Sequence, residues 1–232
     1  MTMSFPECPG GFPVAKDGAE LAGASMRPTK PGLYRRIGKR VLDVTAILMA
    51  APVVVPLVGV LALMVARDGG APFYTQLRVG RQGRQFRIVK LRSMVADADG
   101  RLDAYLDQHP AARAEWDSTQ KLKDDPRITR FGQFLRRSSL DELPQLWNVL
   151  IGDMSLVGPR PMMVSQQGLY PGTAYYGLRP GITGYWQTSA RNAATFQSRA
   201  GYDTAYDADL SLLTDARVLV RTVAVVAKAT GY

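Results

Sequence analysis

The sequence predicts a helix-rich α+β protein that is monotopic in a membrane, with one re-entrant helix, a short β-hairpin and surface amphipathic helices. Two observations support this fold class. Residues 44–66 form an uncharged apolar segment, and residues 72–92 alternate apolar and basic side chains about a glycine-containing turn. We divide the chain into a disordered N-terminal tail over 1–32, a membrane helix over 33–67 and a folded domain over 68–232.

The tail is rich in Pro, Gly and Ala and shows no sustained hydrophobic periodicity, which predicts disorder. It lacks a basic start followed directly by an apolar run, so it is a poor signal peptide. Cys8, the only cysteine, lies in this tail, so the chain can form neither an intrachain disulfide nor a cysteine metal cluster. A reducing compartment fits this composition.

The apolar segment is long enough to cross a bilayer, at ~1.5 Å per residue, if it forms a straight helix. Pro52 and Pro56 stand four residues apart, so both interrupt the backbone hydrogen bonds on one face and predict a bend. Both flanks are also basic, which a simple span cannot reconcile with the positive-inside rule. We therefore predict a re-entrant helix; a true span and a buried soluble helix are the alternatives. The flanking basic residues are Arg35, Arg36, Lys39 and Arg40 before the segment, and Arg67, Arg78, Arg81, Arg84, Arg87, Lys90 and Arg92 after it.

The remaining elements are predicted from helix-breaking residues and from the periodicity of apolar side chains. The hairpin turns between Val79 and Gly83, and Phe86, Ile88 and Lys90 share one face of its second strand. Helices are predicted over about 96–118, broken at Pro110, and over 130–137. Residues 207–228 predict a surface amphipathic helix.

The charge balance restricts the partners and the chemistry. The 29 Lys and Arg against 20 Asp and Glu give a net charge of +9, which favours an anionic partner: nucleic acid, a phospholipid surface or a phosphorylated substrate. His109 is the only histidine, so a histidine-based triad and a two-histidine metal site are excluded. Acid–base or nucleophilic catalysis would therefore use carboxylates, Lys, Tyr or hydroxyl groups.

The stretch "SSLDELPQLWN", residues 138–148, sets Asp141 beside Glu142 shortly before Pro144. One reading is a capping box, in which Ser139 caps a helix and Glu142 reaches back to the cap. The proline would then fall in the second helical turn, where it breaks a hydrogen bond. The other reading is chemical: one carboxylate can attack phosphorus while its neighbour holds a Mg²⁺ that neutralises phosphate oxygens.

Basic residues elsewhere suit the second reading. Arg160 lies between Pro159 and Pro161, and Arg179 precedes Pro180, so both guanidinium groups project from restricted backbone. The planar fork of arginine binds phosphate oxygens bidentately. A solvent-facing arginine in a turn is the plainer alternative for either residue, and an edge-strand lysine that discourages aggregation is the alternative for Lys90.

At these residues the chain resembles the bacterial sugar transferase family, the monotopic phosphoglycosyl transferases that begin glycan assembly on a polyprenyl phosphate. The motifs that carry the resemblance are "KRVLDV" with the proline-containing apolar segment, "FRIVKLRSM", "DDPRITRFGQFLRRSSLDELPQLWNVLIGDMSLVGPRP" and "RPGITGYWQTSARN". They cover about residues 35–228 in the family's order. The chain resembles the family's short members, such as initiators of exopolysaccharide synthesis.

The resemblance implies transfer of a sugar 1-phosphate, galactose or glucose phosphate, from a UDP-sugar to undecaprenyl phosphate with release of UMP. Asp141 matches the nucleophile that forms a phosphosugar–aspartyl intermediate, and Glu142 matches the Mg²⁺-binding residue. Lys90 and Arg136 match basic residues near the transferring phosphates. The motif around Arg160 matches a phosphate-recognising loop, and Arg179 and Arg191 are further candidates for substrate binding.

The same resemblance implies further partners and a location. We expect membrane lipid as a partner, expect no nucleic acid, and place the enzyme on the cytoplasmic face of the bacterial inner membrane; a homo-oligomer is compatible with these expectations. Two residues depart from the family: Ala51 replaces the usual Ser before the first proline, and Ala190 replaces a Gly in "SARN". The rival interpretation is a membrane-tethered anion-binding or scaffold protein without catalysis.

Overall fold

A computed structural model describes residues 32–67, 69–95, 97–119, 122, 124–189 and 195–227. The predicted tail, apart from residue 32, lies outside the described residues, as do Arg191 and Ala190. The described part is the helix-rich α+β fold that the sequence predicts, with a two-stranded hairpin and one long apolar helix near its start. The domain boundary between residues 67 and 68 stays a prediction.

The long apolar helix begins with a π-helical stretch, Tyr34–Gly38, and continues as α1, Lys39–Ala66. Both Pro52 and Pro56 lie inside α1. Among the described residues this is the one helix that is long and apolar enough to cross a membrane, with a mean hydropathy of 2.6 in its most apolar part. The bend at the prolines stays a prediction.

Both ends of α1 contact the folded body, whereas large apolar side chains in its middle are exposed. Near the start, Ile47 packs into an apolar cluster with Phe86, Ile88, Val149 and Met154. Near the end, a second cluster contains Leu61, Ala62, Val65, Leu91 and Leu135. Between these two contacts Met49 is 76% exposed and Val53 is 72% exposed.

Polar contacts also hold the two ends of α1. Lys39 forms an ion pair with the buried Asp215, with 2.6 Å between Nζ and Oδ2. At the other end an Arg92 guanidinium nitrogen donates to the carbonyl oxygen of Val65, at 3.1 Å.

The structure confirms the β-hairpin that the alternation of apolar and basic side chains predicts. Strand β1, Phe73–Val79, pairs antiparallel with β2, Gln85–Leu91. The turn between them, Arg81–Gly83, places Gln82 and Gly83 at positive φ. Phe86 and Ile88 are buried on one face of β2, and the partly buried Lys90 follows on that face because strand side chains alternate.

The helices after the hairpin also follow the prediction. Helix α2, Ala98–Gln108, and helix α3, Pro110–Thr119, are separated at His109, where Pro110 starts the new helix. Helix α4, Arg130–Arg137, begins where the hydroxyl of Thr129 accepts a hydrogen bond from the Gly132 backbone N–H, at 2.9 Å.

The capping box at Ser139 is wrong. Ser139 has a φ of 57° and makes no side-chain cap hydrogen bond, and residues Leu140–Glu142 form a single 3₁₀ turn. Pro144 is the N-cap of the next helix, α5, Gln145–Ile151. A proline before the first helical residue removes no helical hydrogen bond, so the two acids lie in a break between helices.

A small parallel pair follows. Strand β3, Ser155–Val157, pairs with β4, Gly181–Thr183. The connection between them contains a 3₁₀ segment, Val164–Leu169, and helix α6, Ala174–Gly177. A Cβ atom at Gly158 would lie 2.3 Å from the carbonyl oxygen of Arg179, so only glycine permits this approach. The connection thereby holds the proline-flanked Arg160 beside β4.

The C-terminal region contains helices α7, Tyr185–Thr188, α8, Arg199–Asp209, and α9, Leu212–Ala227. A single helix beginning at residue 207 is therefore wrong. The Ser211 hydroxyl oxygen accepts a hydrogen bond from the Thr214 backbone N–H, at 3.2 Å, and so starts α9 after the break. The sequence did not predict α8 or the parallel pair.

Candidate active site

The two adjacent carboxylates lie in the turn between α4 and α5. Asp141 is 6% exposed. The Glu142 side chain is 19% exposed and is therefore the more accessible acid. Because the turn is 3₁₀ rather than α-helical, it places both acids at the junction of the two helices rather than within either one.

Two cations from distant parts of the chain meet Glu142. Lys90 Nζ on β2 donates to Glu142 Oε1 at 2.8 Å. A guanidinium nitrogen of Arg160 lies 3.8 Å from the same oxygen. Lys90 is thus an ion-pair partner of the acidic turn, which weakens the alternative of an edge-strand lysine.

Arg136, in the last turn of α4, completes the cluster from another side. Its Nε donates to the hydroxyl oxygen of Ser93, at 2.9 Å. Helix α4 approaches the chain after β2 so closely that a Cβ at Gly132 would lie 1.9 Å from the Ser93 carbonyl oxygen. This close packing sets the position of the Arg136 guanidinium beside Asp141.

The electrostatics of Asp141 combine opposing effects. Burial raises the pKa of the Asp141 carboxyl, and the neighbouring charge of Glu142 acts in the same direction. Lys90, Arg136 and Arg160 act against these effects. Three cations around two acids leave the turn with a net positive charge, which suits a phosphorylated ligand.

Two buried prolines flank Arg160 and restrict the backbone of its loop. Pro159 and Pro161 on either side of it are buried, whereas the Arg160 side chain is 30% exposed. Its Cζ lies 5.9 Å from the centroid of a Trp186 ring on α7. The partly exposed guanidinium therefore lies near both the acidic turn and an aromatic ring.

Comparison with known proteins decides the family. Residues 34–229 match the family described as bacterial sugar transferase. This chain belongs to that family.

The chain is 47% identical over 198 residues to the UDP-galactose-lipid carrier transferase of Erwinia amylovora, a match that covers 84% of the chain and 42% of the relative. It is 41% identical over 210 residues to the exopolysaccharide production protein ExoY of Sinorhizobium fredii, covering 88% of the chain and 93% of that protein. It is 37% identical over 196 residues to the UDP-glucose:undecaprenyl-phosphate glucose-1-phosphate transferase of Caulobacter vibrioides, covering 80% and 68%. The chain spans less than half the length of the first of these relatives.

Not every candidate site residue joins the cluster. Arg179 Nε donates to the carbonyl oxygen of Gly152, at 3.0 Å, where α5 ends. Its charged neighbours are Arg81, Arg40 and Asp43 rather than the acidic turn, and burial lowers its pKa. Arg179 thus satisfies a helix-terminal carbonyl, and a substrate contact for it has no support from this placement. Arg191 lies outside the described residues.

Sequence reasoning missed residues that position the site. Asn148 on α5 is 1% exposed; its Oδ1 accepts from the Val89 backbone N–H at 3.0 Å, and its Nδ2 donates to the Arg87 carbonyl oxygen at 2.8 Å. These two hydrogen bonds connect α5, which follows the acidic turn, to β2, which carries Lys90. An amide among apolar neighbours in "LWNVL" was the available signal. Nothing local marked Ser93 or Trp186.

The acidic turn is also the candidate site for a metal ion. Among the residues that the structure describes, no group of three or more His, Cys, Asp or Glu side chains could hold a metal by itself. Mg²⁺ commonly uses one or two carboxylates together with substrate phosphates and water, so a pair of acids suits this ion without such a group. Of the two acids, Glu142 is the more accessible, with a side chain that is 19% exposed.

Proposed function

We propose that the chain transfers a sugar 1-phosphate, galactose or glucose phosphate, from a UDP-sugar to undecaprenyl phosphate and releases UMP, as the first membrane step of exopolysaccharide synthesis. The observation that carries this proposal is the buried Asp141 beside Glu142, surrounded by Lys90, Arg136 and Arg160. The names of the relatives include both donors, UDP-galactose and UDP-glucose, and one includes undecaprenyl phosphate.

In the proposed first step a carboxylate oxygen of Asp141 attacks the phosphorus atom that bears the sugar. A new O–P bond forms, the bond from that phosphorus to the bridging oxygen breaks, and UMP leaves with the electron pair. In the second step a phosphate oxygen of undecaprenyl phosphate attacks the same phosphorus. The aspartyl O–P bond breaks, so the carboxylate returns and the product is a lipid-linked diphosphate sugar.

The cations would stabilise the charge that moves between these oxygens. The charges of Lys90 on β2 and Arg136 on α4 both act on Asp141, so a phosphoryl group at Asp141 would be close to both cations. Arg160, which is partly exposed, would bind the diphosphate of the incoming donor. Prior placement of these charges is the usual source of electrostatic stabilisation in phosphoryl transfer.

Glu142, beside the nucleophile, would hold a Mg²⁺ ion. When bound, this ion would supply positive charge to the diphosphate oxygens and lower the repulsion that the attacking carboxylate meets. Glu142 already shares its Oε1 between Lys90 and Arg160. To hold the ion, Glu142 would have to give up part of this ion pairing.

A membrane position follows from the same proposal, because one substrate is a lipid whose phosphate lies at headgroup level. We propose that α1 enters the cytoplasmic leaflet, bends at Pro52 and Pro56 and returns. The contacts of both helix ends with the folded body support this topology, since a helix that crossed a ~30 Å hydrocarbon core would carry one end away from that body. The exposed apolar middle of α1 suits the lipid.

The topology is tested by cysteine labelling. Single cysteines at residues 36 and 70, in a Cys8→Ser background, are expected to react with an impermeant reagent only from the cytoplasmic side of membrane vesicles. Labelling of the two positions from opposite sides would show a true span.

A membrane-tethered anion-binding or scaffold protein remains the second candidate function. It accounts for the net charge of +9 and for the apolar helix. It does not account for two acids within a cationic cluster, because carboxylates weaken the binding of a polyanion. Steep loss of DNA affinity between low and moderate salt would favour this candidate over the enzyme.

The test is release of UMP. The detergent-purified protein is incubated with Mg²⁺, undecaprenyl phosphate and a panel of UDP-sugars, and UMP is measured for each. We expect release with UDP-galactose or UDP-glucose. The Asp141→Asn variant is expected to lose turnover while it remains folded, and Asp117→Asn, an exposed carboxylate on α3, is the matched control.

The covalent intermediate has its own measurement. With a donor labelled in the sugar and no lipid acceptor, the wild-type protein should retain label after denaturation, and Asp141→Asn should retain none. Label on both proteins would assign the nucleophile to another residue. Absence of UMP release from the folded wild-type protein with every donor would contradict the proposed function.

A further inference from the structure

A second group of arginines lies beyond the acidic turn. Arg199, the first residue of α8, is 7% exposed, and its Cζ lies 4.3 Å from the Trp186 ring centroid and 4.6 Å from that of Phe196. Trp186 is the same ring that contacts Arg160. One aromatic side chain therefore brings Arg199 next to the arginine that contacts Glu142.

Arg78 on β1 reaches the same loop from another side. One of its guanidinium nitrogens lies 3.4 Å from the carbonyl oxygen of Pro161, and another donates to the Gln76 side chain. The loop of Arg160 is thus bordered by two further guanidinium groups, from β1 and from α8.

These two arginines retain hydrogen-bonding capacity. The Nε atoms of Arg78 and Arg199 are buried and have no hydrogen-bond partner among the described residues. Neither side chain forms an ion pair with a carboxylate in the part of the chain that the structure describes. A buried charged donor without a partner costs free energy, which a bound anion would recover.

The surrounding charge agrees with this geometry. Burial, Arg160 and Arg78 lower the pKa of Arg199 to about 9, so it remains a cation at neutral pH despite its neighbours. Burial raises the pKa of the nearby Asp203 to about 7, so this acid offers only a partial negative charge. The region therefore carries an excess of positive charge and is largely buried from solvent.

We infer that Arg199, with Arg78 and Arg160, forms a second phosphate subsite, which binds the nucleotide phosphate of the donor and retains it until UMP leaves. This inference rests on the proposed function. Lys90 and Arg136 then serve the phosphoryl group that is transferred, and Arg160 lies between the two phosphates.

The test uses Arg199→Gln in the full-length protein, compared with Arg101→Gln, which removes the same charge from an exposed position on α2. We expect the KM for the UDP-sugar and the inhibition constant of UMP to rise roughly tenfold or more, the size of one lost charge-assisted hydrogen bond. The KM for undecaprenyl phosphate should change less than twofold. Calorimetric titration with UMP, without lipid acceptor, should show the same weakening.

Each outcome distinguishes the inference from the proposed function. Wild-type turnover together with an unchanged KM and UMP affinity in Arg199→Gln would overturn the subsite alone. A rise confined to the KM for the lipid would also overturn it, by assigning the arginine to the acceptor. Failure of the wild-type protein to release UMP would instead contradict the proposed function.

A second variant guards against loss of folding. Arg199→Lys keeps the charge but loses the planar fork, so we expect UMP affinity between those of the wild-type protein and Arg199→Gln. Thermal unfolding of each purified variant checks its fold. If Arg199→Lys is folded and binds UMP as tightly as the wild-type protein, bidentate recognition by Arg199 is excluded.

Discussion

Replacing Asp203 by Asn should remove most of the pH dependence of stability that this carboxyl causes. Asp203 is 5% exposed, and the Tyr170 hydroxyl donates to its Oδ2 at 2.8 Å. Burial raises its pKa from 3.8 to about 7, against the opposing effects of Tyr170 and Arg199. Between these two pH values the folded state binds more protons than the unfolded state, so stability is highest below the unfolded pKa and falls as pH rises through 7.

The magnitude follows from the two pKa values. One pKa unit corresponds to ~1.4 kcal/mol, so the ionised carboxylate costs the folded state roughly 4 kcal/mol above pH 7. Asn is uncharged, and its carbonyl oxygen can still accept the hydrogen bond from Tyr170. At pH 8 the variant should therefore melt higher than the wild-type protein, by on the order of 10 °C, and the two should converge towards pH 4.

The assay is thermal unfolding in one detergent from pH 4 to pH 9, followed by intrinsic fluorescence. Asp117→Asn, on the exposed face of α3, is the control for the loss of one negative charge. Melting curves of Asp203→Asn that run parallel to those of the wild-type protein at every pH would refute the reasoning, because the carboxyl would then have a similar pKa in both states.

Two further changes test how the site is positioned. Gly132→Ala should displace α4 from Ser93, whose carbonyl oxygen would lie 1.9 Å from the new Cβ, and should thereby move Arg136. We expect kcat to fall at least tenfold, as misplaced catalytic groups do, while α1 remains membrane-bound in a flotation assay. Asn148→Leu should leave the backbone N–H of Val89 and the carbonyl of Arg87 unpaired and cost about 2–4 kcal/mol, measured by chemical unfolding. An unchanged kcat in the first case, or an unchanged unfolding midpoint in the second, would contradict these placements.

Local elements could be predicted because their signals are local. Alternation between residues 72 and 92 marked the hairpin, and Pro110 marked the break between α2 and α3. The same local approach failed at Ser139, where the pattern of a capping box coincided with a left-handed backbone. It also failed between α8 and α9, where the helix break depends on hydrogen bonds that composition does not reveal.

The sequence by itself determined the long apolar helix, the hairpin and helices α2 to α4, together with the excess of positive charge and the two adjacent acids before a proline. Only the tertiary structure decided which cations meet them: Lys90 lies 52 positions from Glu142 along the chain, and Arg199 is joined to Arg160 through the ring of Trp186. Arg179, which like Arg160 precedes a proline, instead donates a hydrogen bond to the Gly152 carbonyl oxygen at the end of α5. Helix and strand periods arise from neighbouring residues, whereas a site depends on packing between residues far apart in the chain.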